Sequence, residues 1–312
     1  MIDASLPIFE HQPVMLREIT EIFAHVPDGF VLDATLGGAG HAAALLTAHS
    51  GLKVLGLDRD PVALSVSHER LATFAGRVVT QHRRFDDLDA AMDQAGIAGL
   101  SGALFDLGVS SHQLDAGDRG FSYRQEAMLD MRMDTTEVMT VSDIVNTATE
   151  QELARILRDY ADERFAGRIA RAIIAARPIQ TTTELADIVA SSIPAPARRR
   201  GGHPAKRTFQ ALRIALNKEL EILPDALDSA IRRTQSGGRV AVLSYHSGED
   251  RIVKSRFRQH ATGGCECPVH LPCGCGAVST VRLVRSAAKP SADEQTMNPR
   301  STSARLRVVE VI

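Results

Sequence analysis

The chain has 312 residues, is 44% hydrophobic and carries 36 Lys and Arg against 38 Asp and Glu, a formal net charge of -2. That is ample for one large core or two ordinary ones, and the near-neutral balance excludes a coat of basic charge, so any nucleic-acid surface must be a local patch. No run approaches the roughly 20 apolar residues of a membrane span, residues 1–10 lack a signal-peptide pattern, and the four cysteines cluster between Cys265 and Cys275 instead of spreading as a secreted disulfide scaffold.

The expectation is therefore a soluble, cytoplasmic protein with no membrane partner. In chain order, Phe30–Asp33 reads as a strand and Ala42–Ala48 as a helix. Lys53–Asp58 is a second strand, and Pro61–Ala72 opens with proline at a helix start. Arg77–His82 and Ala103–Asp106 make a third and a fourth strand. Strands alternating with helices imply βαβ units and a parallel sheet covered on both faces.

Beyond Val109 the pattern changes. Ser142–Ser192 has helical spacing, Ser191–Ala197 interrupts it, and Phe209–Leu223 resumes it. Strand character returns at Gly238–Ser244, Val281–Val284 and Leu306–Val311, while the polar stretch Ser286–Ser303 reads as loop. The expected architecture is an α/β (Rossmann-like) sheet, residues 1–111 and 216–312, with a mostly helical insertion over residues 112–215.

The segment Asp33-Ala-Thr-Leu-Gly-Gly-Ala-Gly-His41 joins the first strand to the first sheet helix. Gly38, Gly40 and Ala43 fit G-x-G-x-x-A, so a dinucleotide held at a helix N-terminus is one reading and an ordinary turn another. Asp33 tilts the choice. A carboxylate there would repel a pyrophosphate but attract a sulfonium or an ammonium group. Asp58 ends the second strand, where ribose hydroxyls bind in either class, and Phe85-Asp86-Asp87 after the third strand offers an aromatic ring or a carboxylate beside an adenine. Together these favour S-adenosylmethionine over NAD.

The fourth strand ends in Asp106-Leu-Gly-Val-Ser-Ser111. An exocyclic base amine is a poor nucleophile because its lone pair is delocalised into the ring. An acceptor such as Asp106 can hold its N–H and align the nitrogen with a methyl group. A carboxylate that merely caps the following turn is the competing reading.

At this point the chain resembles a known family, the bacterial 16S ribosomal RNA cytosine-N4 methyltransferases (RsmH, or MraW, family). The resemblance rests on His11–Glu18, Asp33–His41, Gly56–Pro61, Asp106–Asp115, Arg119–Tyr123, Leu129–Asp134, Thr208–Glu219, Ser244–Arg251 and Asn298–Arg300, in that order. It implies a class I S-adenosylmethionine-dependent methyltransferase fold and methyl transfer to N4 of one cytidine in the decoding region of 16S rRNA. It also implies the small ribosomal subunit as partner. Cofactor contacts would map onto Ala39, Gly40, His41, Asp58, Phe85, Asp106 and Gln113, beside Asp33 and Gly38 from the turn. The catalytic candidates are Asp106, Ser110 and His246. The sequence departs from the family at Ala39, where glycine is frequent, and at Tyr245 and Gly248, where Phe and Leu are expected.

Two further constellations stand out. Arg198, Arg199, Arg200, Lys206, Arg207 and Arg213 lie in a stretch without acidic residues, so they are RNA-phosphate candidates or a solvated loop. Cys265, Cys267, Cys273 and Cys275 form C-x-C…C-x-C, with His260 and His270 nearby, a pattern that suggests structural zinc. The rival readings are a DNA amino methyltransferase, a ribosome-associated binding protein without turnover, and an NAD oxidoreductase.

Overall fold

Seven strands form one sheet in the computed structural model, which describes residues 13–110, 113–114, 116–198, 202–268 and 274–312. They are β1 Gly29–Asp33, β2 Leu52–Asp58, β3 Val78–His82, β4 Leu100–Asp106, β5 Thr234–Ser244, β6 Val281–Ala288 and β7 Arg305–Val311, in spatial order β3-β2-β1-β4-β5-β7-β6. The first five run parallel, while β7 lies antiparallel to both β5 and β6. The central strands are continuous apolar runs because helices cover both faces. Val31 and Leu32 of β1, Leu55 and Leu57 of β2, and Leu104 and Phe105 of β4 are fully buried.

Thirteen helices among the described residues are labelled here in chain order. They are α1 Leu16–Phe23, α2 Gly40–Ala48, α3 Pro61–Leu71, α4 Leu88–Ala95, α5 Val141–Thr147, α6 Glu150–Ala161, α7 Ala166–Ala176, α8 Thr182–Ser192 and α9 Ala195–Arg198. The rest are α10 Lys206–Asn217, α11 Glu219–Arg233, α12 Ser247–Thr262 and α13 Ala292–Met297. No helix among the described residues is long and apolar enough to cross a membrane.

The chain divides into two compact units. One comprises the described residues up to Asp58, then Val62–Leu107 and Ala226–Ile312; the other comprises Arg59–Pro61 and Gly108–Asp225. The second unit has its own apolar core, in which Leu153 and Leu157 of α6, Ile169 and Ile173 of α7, and Leu212 of α10 are completely buried. Two of its helices, α6 and α8, start where capping boxes satisfy the first N–H groups. The Thr149 N–H donates to Glu152 Oε2 at 2.8 Å and the Glu152 N–H returns to Thr149 Oγ1 at 3.2 Å. Thr181 and Glu184 repeat the exchange at 3.0 and 3.3 Å.

Asn217 closes α10 and ties the unit together. Its side-chain nitrogen donates to the carbonyls of Met131 and Arg213, each at 2.9 Å, and its side-chain oxygen accepts from the Met133 N–H at 2.9 Å. This buried amide satisfies the Met133 N–H and the Met131 carbonyl and adds a second partner to the Arg213 carbonyl within α10.

One expectation from the sequence differs from the structure. The stretch 286–303 is not loop. β6 runs on to Ala288, α13 occupies Ala292–Met297, and a 3-10 turn covers Pro299–Ser303. The signal for α13 was present in Ser291-Ala-Asp-Glu294, an S-x-x-E start whose Ser291 Oγ accepts from the Glu294 N–H at 3.1 Å. The stretch 209–223 is helical as read, and Lys218, with its left-handed φ of 54°, divides it between α10 and α11.

Candidate active site

The direction of chain progression reverses between β1 and β4, which are neighbours although β2 and β3 intervene in sequence. In a doubly wound sheet, the crevice at the carboxyl ends of such strands is where ligands bind. Asp33 and Asp106 are the last residues of these two strands. Asp33 is only 2% exposed, and its carboxyl is pushed up to about 7, chiefly by burial and then by the nearby charges of Asp106 and Asp58. A weak 3.4 Å hydrogen bond from the Thr35 N–H pulls the other way.

The glycines after Asp33 have separate reasons to be glycine. Gly37 has a φ of 51°, the left-handed region that favours glycine. Its N–H donates to Asp58 Oδ2 at 2.7 Å, tying the end of β2 to the turn. At Gly40 a side chain would meet Pro13 Cγ at 2.3 Å, so close packing excludes one. At Gly38 the nearest described atoms to an added Cβ lie 4.0 Å away and φ is not left-handed, so the protein itself does not require glycine there. Ala39 has a φ of 58° and is fully buried. The departure from the family's glycine therefore falls on a residue that carries about 1–2 kcal/mol of backbone strain.

Asp106 is held from three directions. Its N–H donates to Thr35 Oγ1 at 2.7 Å, its Oδ1 accepts the Tyr245 hydroxyl at 2.6 Å, and its Oδ2 lies 3.6 Å from His41 Nδ1. His41 is buried at the start of α2, and its Nε2 sits 3.0 Å from the Val14 carbonyl, which can only accept. That fixes a proton on Nε2. Burial raises the Asp106 carboxyl above the usual range; His41 and the Tyr245 hydroxyl pull it down, and Glu249 pushes it up.

Tyr245 and His246 follow β5 directly. Glu249, 2% exposed, accepts both of their backbone N–H groups on Oε2, at 2.7 and 3.2 Å. His246 Nδ1 in turn accepts from the Gly248 N–H at 3.2 Å, so its ring caps α12. Its Nε2 approaches Glu249 Oε1 at 3.2 Å, an ion-pair distance without hydrogen-bond alignment. The Phe85 ring is 8% exposed and meets Phe105 edge-on at 5.8 Å.

Ser110 and Gln113 belong to the second unit. The Ser110 N–H donates to Gln113 Oε1 at 3.0 Å and the Gln113 N–H to Ser110 Oγ at 3.2 Å. Gln113 Nε2 donates to Asp60 Oδ2 at 2.9 Å, and Arg119 Nη1 reaches the same oxygen at 3.0 Å. Asp60, 1% exposed, is an organising acid that the sequence reading passed over in favour of Asp58. His11, Gln12, Ser111, His112 and Asp115 of the matched motifs lie outside the described residues.

Comparison with known proteins decides the family. A profile described as the MraW methylase family matches residues 8–312. The chain belongs to the MraW methylase family.

Among relatives, the "Ribosomal RNA small subunit methyltransferase H" of Heliobacterium modesticaldum is 48% identical, covering 98% of this chain and 99% of its own. The protein of the same name from Thermobifida fusca is 48% identical over 97% of this chain and 94% of its own. A solved rRNA methylase from Streptococcus thermophilus covers 95% of this chain and 93% of its own, at TM-score 0.41 and 12% identity. With the strand order above, membership gives this MraW-family chain the class I, Rossmann-like methyltransferase fold.

In this MraW-family chain the basic stretch is not uniform. Arg198, Lys206 and Arg207 are exposed, whereas Arg213 is committed to Glu219 by two hydrogen bonds of 2.8 and 2.9 Å. Arg213 therefore leaves the phosphate-contact set, and Arg199 and Arg200 lie outside the described residues. The sulfur atoms of Cys265, Cys267 and Cys275 lie within 4.8 Å of one another, while Cys273 and His270 lie outside the described residues. His260 is not a ligand candidate. Its Nε2 lies 2.9 Å from Asp228 Oδ1 and its Nδ1 3.0 Å from Thr280 Oγ1.

Proposed function

We propose that this MraW-family methylase transfers the methyl group of S-adenosylmethionine to the N4 amine of a cytidine in the decoding region of 16S rRNA. Asp33 is the observation that carries the choice of donor. It is a buried carboxyl raised by burial and by two other acids, and it forms no ion pair among the described residues. Such a site is short of positive charge, which a sulfonium or an ammonium group supplies and a pyrophosphate does not. Gly38, open to a Cβ on the protein side, suits close approach of a ligand.

S-adenosylmethionine, when bound, supplies an electrophilic methyl group: the N4 lone pair forms the new N–C bond, the S–C pair stays on sulfur as neutral S-adenosylhomocysteine, and the amine proton passes to water. In this reading Asp106 accepts an amine N–H and holds the nitrogen in line. Asp33, Gly38, Ala39, Gly40, His41, Asp58 and Phe85, all of one compact unit, form the donor site, and Gln113 is the further donor contact that the family resemblance implies. Ser110 and His246, both engaged in turn and cap hydrogen bonds, are the further catalytic candidates of this reading, and neither is assigned as a general base.

The names of the relatives support ribosomal RNA as substrate, and the Asp106-Leu-Gly-Val109 turn supports an amine acceptor. Lys206 and Arg207 open α10, where cations oppose the helix dipole unless an anion lies close. That favours them, with Arg198, Arg199 and Arg200, as phosphate contacts. We assign a structural zinc to Cys265, Cys267, Cys273 and Cys275. Thiolates about 2.3 Å from zinc lie about 3.8 Å apart, so the three described sulfurs need to close only slightly.

The deciding experiment incubates the protein with radiolabelled S-adenosylmethionine and small subunits from a strain lacking the activity, followed by digestion to nucleosides. Label in N4-methylcytidine is expected. Label in another nucleoside, or equal labelling of DNA, overturns the proposal.

A further inference from the structure

We propose that Tyr245 is a positioning residue for the reaction, its hydroxyl holding one oxygen of Asp106 so that the carboxylate stays ionised and fixed in rotation. This inference rests on the role given to Asp106 above. Asp106, His41, Tyr245 and Glu249 all belong to one compact unit. Tyr245 stands just beyond β5, whose Leu243 pairs with Asp106 in register. Its hydroxyl donates to Asp106 Oδ1 at 2.6 Å, in the range of charge-assisted hydrogen bonds.

The tyrosine backbone is itself anchored. Its N–H donates to the buried Glu249 carboxylate at 2.7 Å, and the same carboxylate takes the His246 N–H. The ring therefore has little freedom to swing away from Asp106. Burial, together with Asp106, Glu249 and Glu294, keeps the phenol protonated well above its usual value, so at any working pH it can only donate to the carboxylate.

The charges facing Asp106 pull in opposite directions. His41 lies 3.6 Å from Oδ2, while burial favours the neutral acid and Glu249 adds like charge. Against those terms the Tyr245 hydrogen bond is a specific stabiliser of the anion. A protonated Asp106 would present an O–H where the reaction needs an acceptor. A freely rotating carboxylate would lose alignment with the amine. A phenylalanine at this position would keep the ring and lose the contact to Asp106.

The test is Tyr245→Phe, which removes one oxygen and keeps the ring. Carboxyl 13C NMR of protein labelled at aspartate, with Asp106→Asn to assign the signal, reads the Asp106 titration directly. Loss of a hydrogen bond to a charged group should raise its midpoint by roughly one unit or more. The acidic limb of the pH–rate profile should move up by the same amount, with activity recovering at high pH and the S-adenosylmethionine Kd within about threefold of wild type. An unmoved Asp106 titration in a folded Tyr245→Phe variant overturns the inference. If the titration moves but the wild-type protein labels no cytidine, the coupling stands and the proposed function fails instead.

Discussion

Replacing Asp33 by asparagine separates the demands of folding from those of ligand binding at one buried group. The native carboxyl is raised from 3.8 to about 7, about three units at roughly 1.4 kcal/mol each, so ionising it in the folded state costs about 4 kcal/mol. The raised pKa sets the sign. Between pH 4 and pH 7 the native state holds a proton that the unfolded state has released. Wild-type stability therefore falls as pH rises through that window, and the full penalty applies above pH 7. Asparagine keeps the shape and can still accept from the Thr35 N–H, but it never ionises.

Relaxation and entering water soften the burial of a charge, so 4 kcal/mol is an upper bound. The unliganded variant should melt at least about 3 °C above wild type at pH 8 and within about 1 °C of it at pH 4. Binding should respond in the opposite sense. Wild-type affinity for S-adenosylmethionine should strengthen about tenfold between pH 6 and pH 7.5, because below pH 7 binding a cation must first ionise Asp33. The variant should bind more weakly at pH 8 and show no such dependence. Scanning calorimetry of the apo protein and titration calorimetry at both pH values measure the two effects. A variant that is no more stable at pH 8 refutes the burial reasoning, and undiminished affinity refutes the role of Asp33 as counter-charge.

Gly38→Ala should leave the melting temperature unchanged or raise it slightly, because φ is not left-handed and no described atom obstructs a Cβ. It should weaken S-adenosylmethionine binding tenfold or more by calorimetry, and equal binding means that the glycine faces no ligand. Asp106→Ala should reduce turnover at least about 10³-fold while cofactor Kd changes less than tenfold; comparable activity in single-turnover assays removes Asp106 from the chemistry. Asn217→Leu should destabilise the second unit by about 2–4 kcal/mol in urea, because the Met133 N–H and the Met131 carbonyl lose this partner. Zinc analysis of purified protein should give one equivalent, and four reactive thiols with no metal would end that assignment.

Alternating apolar runs and breakers made the parallel core legible in sequence. β1, β2, β3 and β4 fall within a few residues of their expected places, because strands buried on both faces must be continuous apolar runs. The helical middle was legible for a similar reason, its spacing and T-x-x-E starts being local signals. Ser286–Ser303 was misread because only the end of β6 falls in it and helix α13 is short and polar, held by pairing and a cap rather than marked by pattern. The strand-end positions of Asp33 and Asp106 were legible, because each acid closes an apolar run.

Partnership was not legible, because it joins residues far apart in the chain. Sequence named Asp33, Asp58, Asp106 and the glycine turn, since strand-end acids and turn glycines are written locally. Only the fold raised Asp33, by burying it beside Asp106 and Asp58. Only the fold assigned His246 to a helix cap and Arg213 to Glu219. Tyr245 looked like a small departure in a motif; register between β4 and β5 brought its hydroxyl to Asp106 across 139 positions of chain. Chemistry types are local properties of the chain, whereas protonation and orientation belong to the groups that packing places around them.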